Sequence, residues 1–129
     1  MLRVVADENM PAVESLLGEL AQVTRCNGRS LTSQQLGGAD VLFVRSVTRV
    51  DSQLLQATPV RFVGTATSGT EHIDLDYLDS RGIGFTRAAG SNANSVVEYV
   101  LSALVALPDQ LRRLMGGGSV GVVGQGPVG

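Results

Sequence analysis

The sequence predicts an α/β fold built on a parallel sheet with helices on both faces. Short β-branched runs alternate with amphipathic stretches, and the connections between them are brief. One run, Val41–Val44 (VLFV), has no polar interruption, as expected of a strand buried on both faces of a parallel sheet. At 129 residues the chain has the length of one domain and can bury a core of moderate size.

Leu2–Ala6 (LRVVA) reads as the first strand, followed by Asp7, Glu8 and Asn9, whose side chains can accept the free amides of a helix start. Pro11 suits a first helical turn, and Val13, Leu16, Leu17 and Leu20 then fall on one helical face. A second strand is expected around Val23, and Leu31–Leu36 (LTSQQL) reads as a weak helix capped by Thr32 or Ser33. After the strand at Val41–Val44 come a short helix over Asp51–Ala57, a strand at Val60–Val63 and a helix including Leu75–Ser80. Ile83–Phe85 gives one more short strand. Asn92–Leu107 is the longest apolar segment, and its length and pattern predict a mostly buried helix. Pro108 and the run Gly116–Gly118 mark a linker.

The last segment, SVGVVGQGPVG, begins with a strand candidate at Val120–Val123 and continues as Gly124-Gln125-Gly126-Pro127-Val128-Gly129. This matches G-x-G-x-x-G, in which the first glycine permits a tight turn, the second admits a pyrophosphate and the third lets helix pack on strand. A helix N-terminus then holds the anion with unpaired amides. The pattern alone is weak among 16 glycines, and a glycine-rich turn is the competing reading. Pro127 lacks an N–H that could serve as one of the anion donors, which predicts weaker dinucleotide affinity.

Two loops follow predicted strands, and open α/β sheets bind ligands outside the carboxyl ends of their strands. In Val44-Arg45-Ser46-Val47-Thr48-Arg49-Val50, Arg45 and Arg49 could pair with an anion while Ser46 and Thr48 donate to it; the alternative is a solvated turn with capping hydroxyls. Gly64-Thr65-Ala66-Thr67-Ser68-Gly69-Thr70-Glu71-His72-Ile73-Asp74 gathers four hydroxyls and two glycines, suited to a polar ligand approaching the backbone. His72 is the sole histidine, and with no evident acid or second ligand beside it the structural reading is preferred; no metal-ligand cluster is expected.

Ten basic residues stand against twelve acidic ones in scattered positions, which gives no electrostatic footprint for nucleic acid or an anionic membrane. Cys26 is the only cysteine and cannot form an internal disulfide. The N-terminal apolar stretch ends at Asp7, too short for a signal peptide or membrane span, and the expected location is cytoplasmic.

The stretches ADENMP, VRSVTRVD, FVGTATSGTEHIDLDYL, GIGF, SNANSVVEYV and VGVVGQGPVG occur in the order seen in the D-isomer-specific 2-hydroxyacid dehydrogenase superfamily, which the chain resembles over essentially its whole length. The combination of DENMP, VRSVT and GTATSGTEHID resembles one member that acts on a small phosphorylated hydroxy acid; the glycine motif is common to the superfamily. The resemblance implies a flavodoxin-like substrate domain over residues 1–115, then a linker and the first strand of a truncated Rossmann domain over 116–129. It implies NAD as cofactor and a homodimer as the assembly.

By the same resemblance Ser46 and Thr67 match substrate-contacting hydroxyls, Gly124, Gly126 and Gly129 match the cofactor-loop glycines, and Pro127 and Val128 line the pyrophosphate. The superfamily's catalytic arginine, glutamate and histidine lie beyond the glycine loop. No catalytic residue is therefore assigned in this chain, and it is expected to be an N-terminal part that is inactive alone. Two alternatives stay open: a fragment of another member such as a phosphoglycerate dehydrogenase, or a non-enzymatic ligand-binding or dimerisation module. A fragment is expected to expose the apolar side of Asn92–Leu107.

Overall fold

A computed structural model describes residues 1–124 and Gly126, which fall into two compact units, Met1–Ala88 and Ala89–Gly129. The first contains β1 (Leu2–Asp7), α1 (Val13–Leu17), β2 (Ala21–Cys26), β3 (Val41–Val44), α2 (Ser52–Leu55), β4 (Phe62–Thr65), α3 (Leu75–Ser80) and β5 (Gly84–Arg87). All strand pairs are parallel and the order is β2-β1-β3-β4-β5, the flavodoxin-like arrangement.

Period-two alternation divides the sheet into two faces. Val5, Leu42, Val63 and Phe85 stand side by side in register, and the first three enter a core shared with Leu36, Leu55 and Leu78. On the opposite face Val4 and Ala6 are buried, but Val41, Phe43 and Phe62 are only half-buried. The expectation that VLFV is covered on both faces is therefore corrected: Leu42 and Val44 are sealed, while their alternating neighbours are not. On that half-open face a Cβ on Gly64 would lie 2.7 Å from the Phe43 ring, and one on Gly84 would lie 2.8 Å from the Phe62 ring. Each ring thus lies against a glycine of the neighbouring strand.

Several boundaries differ from the sequence expectation for local reasons. Pro11 precedes α1 rather than entering it, and Gly18 at φ +54 ends the helix after Leu17. Gly18–Leu20 continues only as a 3-10 turn, so Leu16 and Leu20 are exposed instead of joining Val13 in the interior. Asp7 extends β1, and no side chain caps α1. Val60 is buried ahead of β4, which begins at Phe62 in register with Val41. The expected helix over Leu31–Leu36 is a 3-10 turn at Ser33–Leu36, with Thr32 and Gln35 forming a capping box. Asp51 caps α2 by accepting from Leu54 N at 3.2 Å, and Asp74 caps α3 by accepting from Tyr77 N at 3.0 Å.

The second unit contains α4 (Ala93–Ala106) and α5 (Pro108–Met115). The prediction that Asn92–Leu107 is mostly buried is overturned: α4 has no buried residue, and Tyr99, Leu101 and Val105 are exposed. Outside one stripe of Asn94, Ser95, Glu98 and Ser102 the circumference of α4 is apolar and needs cover, and among the described residues its own unit supplies only α5. Pro108 does not open a linker but occupies the first turn of α5, where its missing N–H costs nothing. Val120–Val123 is exposed and forms no strand, contrary to expectation. A strand exists through its ladder, and among the described residues no neighbouring strand stands in this unit.

Candidate functional site

The order β2-β1-β3 makes the gap between the ends of β1 and β3 the topological switch point, where open parallel sheets form a ligand crevice. Asp7 closes β1 and is 1% exposed. Its Oδ1 accepts from Asn9 N at 2.8 Å and from Arg45 Nε at 3.1 Å. Its Oδ2 is buried with no partner among the described residues. Gly28, in the loop after β2, packs against this carboxylate: a Cβ there would run into Asp7 Oδ2 and lie 2.6 Å from Thr48 Oγ1. Thr48, itself buried, donates to Gly28 O at 2.9 Å.

These contacts sort the VRSVTRV loop into parts. Thr48 is a structural tie and not the anion donor anticipated, because its one proton is committed to Gly28 O. Arg49 does not join Arg45 in an anion clamp either. It pairs with Asp51 at 2.9 Å and lines a depression of about 150 Å³ together with Glu71, His72 and Asp74, acidic surroundings that disfavour an anion. Arg45 engages Asp7 through Nε alone, so both terminal amino groups lack protein partners among the described residues. Ser46 is exposed beside it, and its hydroxyl likewise has no partner among them.

Strand register brings the second loop next to the first. Val44 faces Thr65, and Ala66 N donates to Val44 O at 2.9 Å, so the loops bearing Ser46 and Thr67 leave adjacent strand ends. Thr65 Oγ1 is 2.8 Å from Thr67 Oγ1 and 2.9 Å from His72 Nε2, and Thr67 donates to Gly69 O at 3.1 Å. Burial pushes the His72 pKa below its ordinary value, with Glu71 opposing the shift. Among the described residues the His72 ring thus has a hydroxyl partner and no hydrogen-bonded carboxylate. Ser68 donates to Ala88 O at 3.4 Å, and Arg87 donates to Ser68 O at 3.0 Å, fastening the loop to the end of β5. Beside these hydroxyls, Met10, Phe43, Gly64, Ala66, Thr86 and Ala88 help line an open cleft of about 290 Å³.

Sequence reasoning missed the role of Asp7, taken only as an acceptor for helix amides. The signal that could have found it is a carboxylate at the carboxyl end of a strand whose neighbours carry basic loops. Cys26 is buried, and burial pushes its thiol pKa up. Among the described residues no group of three or more histidine, cysteine or acidic side chains could hold a metal, and no helix is long and apolar enough to cross a membrane. Gly124 takes φ +90, a conformation that favours glycine, and both Gly124 and Gly126 have open space where a Cβ would stand. Pro127, Val128 and Gly129 lie outside the described residues.

Strand order, hydroxyl-bearing loops and an arginine at the switch point define a flavodoxin-like α/β domain with a polar carboxyl edge. The chain belongs to the D-isomer-specific 2-hydroxyacid dehydrogenase family, whose catalytic-domain sequence model matches residues 2–119. Erythronate-4-phosphate dehydrogenase of Hahella chejuensis is 49% identical over 128 residues, covering 99% of this chain and 34% of that protein. The enzyme of the same name from Marinobacter nauticus is 55% identical over 128 residues, covering 98% of this chain and 33% of the relative. The chain thus spans about a third of the length of the curated relatives it matches.

Solved structures agree on the fold. An NAD⁺-bound 3-phosphoglycerate dehydrogenase from Entamoeba histolytica superimposes with a TM-score of 0.67 at 19% identity, covering 78% of this chain and 37% of that one. A Salmonella D-lactate dehydrogenase gives a TM-score of 0.62 at 12% identity, covering 98% of this chain and 47% of the other.

Proposed function

We propose that the chain is the N-terminal part of an NAD-dependent erythronate-4-phosphate dehydrogenase, which oxidises the 2-hydroxyl of 4-phospho-D-erythronate to the 2-oxo acid in pyridoxal 5′-phosphate biosynthesis. The observation that carries this reading is the 49–55% identity, spread over nearly the whole chain, to relatives of that name. On this reading residues 1–115 are the N-terminal portion of the substrate domain, and 116–129 are the linker and the start of the NAD-binding domain. The longer enzyme acts in the cytoplasm as a homodimer.

Ser46 and Thr67 hold the substrate from the edge of the sheet. Ser46 is exposed with an uncommitted hydroxyl, and the two loops are aligned by the pairing of Val44 with Thr65. Arg45, steadied at Nε by Asp7, keeps two amino groups for an anionic end of the substrate. NAD supplies the hydride acceptor when bound. Gly124 has the backbone conformation that such a loop needs, but Val120–Val123 forms no strand to aim it. On this reading the catalytic residues are supplied by the longer polypeptide, and the 129-residue chain alone is inactive.

Sequencing the codons that follow Gly129, then assaying the longer polypeptide, tests this reading. An open frame encoding a Rossmann continuation and turnover of 4-phospho-D-erythronate with NAD⁺, but not of 3-phosphoglycerate, is expected. Preferential turnover of 3-phosphoglycerate would overturn it in favour of a phosphoglycerate dehydrogenase.

A further inference from the structure

The hydroxyl chain at the end of β4 has one fixed point, from which its direction follows. The Gly69 carbonyl can only accept, so the Thr67 hydroxyl 3.1 Å away donates to it. A hydroxyl carries a single proton; Thr67 must therefore accept from Thr65 across their 2.8 Å contact. Thr65, its own proton now committed, must accept from His72 Nε2 at 2.9 Å. His72 is thus the tautomer protonated at Nε2, and donation runs from His72 through Thr65 and Thr67 to Gly69 O. Protonation of Nδ1 in acid leaves the Nε2–H in place, so the direction survives it.

We propose that Thr67 meets the substrate as a hydrogen-bond acceptor and selects a substrate hydroxyl that keeps its proton, rather than a phosphate or carboxylate oxygen. This rests on the reading that the sheet edge holds 4-phospho-D-erythronate. An anionic oxygen has no proton to offer, and meeting it would force Thr67 to release Gly69 O. A hydroxyl can donate to the remaining lone pair while the whole chain stays intact. The substrate carries hydroxyls on C2 and C3, and the C2 hydroxyl loses its proton on oxidation. The C3 hydroxyl is therefore the group that fits Thr67. His72 and Thr65 are positioning residues, acting on the substrate only through the orientation they impose on Thr67.

Because His72 is the only histidine of the chain, a long-range ¹H–¹⁵N spectrum of the 129-residue protein reads its tautomer without overlap. Taken above the ordinary histidine pKa of 6.5, the spectrum should place the proton on Nε2. Thr65→Val should shift the Nε2 resonance, and Thr65→Ser should restore it. A proton on Nδ1, or a Thr65→Val spectrum identical to wild type at His72, overturns the direction of the chain. This measurement needs no catalysis, so it fails or succeeds independently of the functional reading.

In the longer enzyme, 4-phospho-D-erythronate is compared with its 3-deoxy analogue. Thr67→Val should shrink the ratio of their kcat/KM values by about 5-fold, the loss of one ordinary hydrogen bond, and Thr67→Ser should retain the ratio. An unchanged ratio in Thr67→Val overturns the assignment of the C3 hydroxyl. Absence of wild-type turnover of 4-phospho-D-erythronate overturns the functional reading and that assignment together, while the spectrum still decides the direction of the chain.

Discussion

Residues 1–88 and α4 are both rich in aliphatic side chains, yet they use them in opposite ways. Leu42 and Val63 are completely buried, whereas Leu101 is 57% exposed and Val105 67% exposed. The difference lies in what surrounds each side chain. A parallel sheet presents a row of residues in register to helices that connect its own strands, so Leu42, Val63, Leu55 and Leu78 meet through short links. α4 is apolar over most of its circumference, outside the stripe of Asn94, Ser95, Glu98 and Ser102, and cannot cover itself. Aliphatic content is therefore a capacity for burial, and topology decides whether it is realised.

Core truncation should break this contrast most severely. Leu42→Ala is expected to lower the unfolding free energy of the 129-residue chain by about 2–5 kcal/mol in a denaturant titration, with a cavity left behind. Gly28→Ala comes next, at about 1–3 kcal/mol, because the new methyl must displace Asp7 Oδ2 or Thr48 Oγ1. Its loss should be as clear as that of a small core defect, although the residue sits in a loop.

On α4 the paired substitution Leu101→Gln and Val105→Gln should change stability by no more than about 0.5 kcal/mol, as at other exposed sites. It should nevertheless reduce the binding of a hydrophobic dye measurably. A stability loss comparable to that of Leu42→Ala would show that α4 is a core element in solution. The smallest effect concerns acid. Since burial holds the folded His72 pKa below its ordinary 6.5, the unfolded chain takes up this proton first as pH falls. Stability from this group is full above pH 6.5 and declines below it, through the lowered folded pKa. His72→Gln should flatten that decline in the wild-type pH–stability profile; an unaltered slope would assign the acid sensitivity elsewhere.

The strands and short helices of the first unit were largely legible because their signals are local. Val41–Val44 was read at its observed ends, since a compact apolar run needs only a few residues to declare itself, and Leu75–Ser80 was placed within a helix, though its Asp74 cap was not read. The helix drawn through Leu20 failed because periodicity counts apolar residues and does not register Gly18, whose positive φ stops the turn. Burial of Asn92–Leu107 failed for a larger reason: an apolar pattern states the need for a partner without supplying one. In the candidate site, the two hydroxyl loops were visible from composition. The Asp7–Arg45 pair was not, because those residues stand 38 positions apart and meet only through the pairing of β1 with β3.

The rings of Phe43 and Phe62 carry a consequence for how the sheet finds its alignment. Each ring lies against a neighbouring strand where that strand has no Cβ, at Gly64 and Gly84. A displacement of two residues is the smallest that keeps every side chain on its own face. It would set Phe43 against Phe62 or Ala66 in place of Gly64. The Phe43–Gly64 pair therefore acts as a key cut for one alignment of β3 and β4, whereas Phe62 would meet a second glycine, Gly82, in one slip of β5; the half-open face thus proofreads the β3–β4 register on which the placement of Ser46 and Thr67 depends.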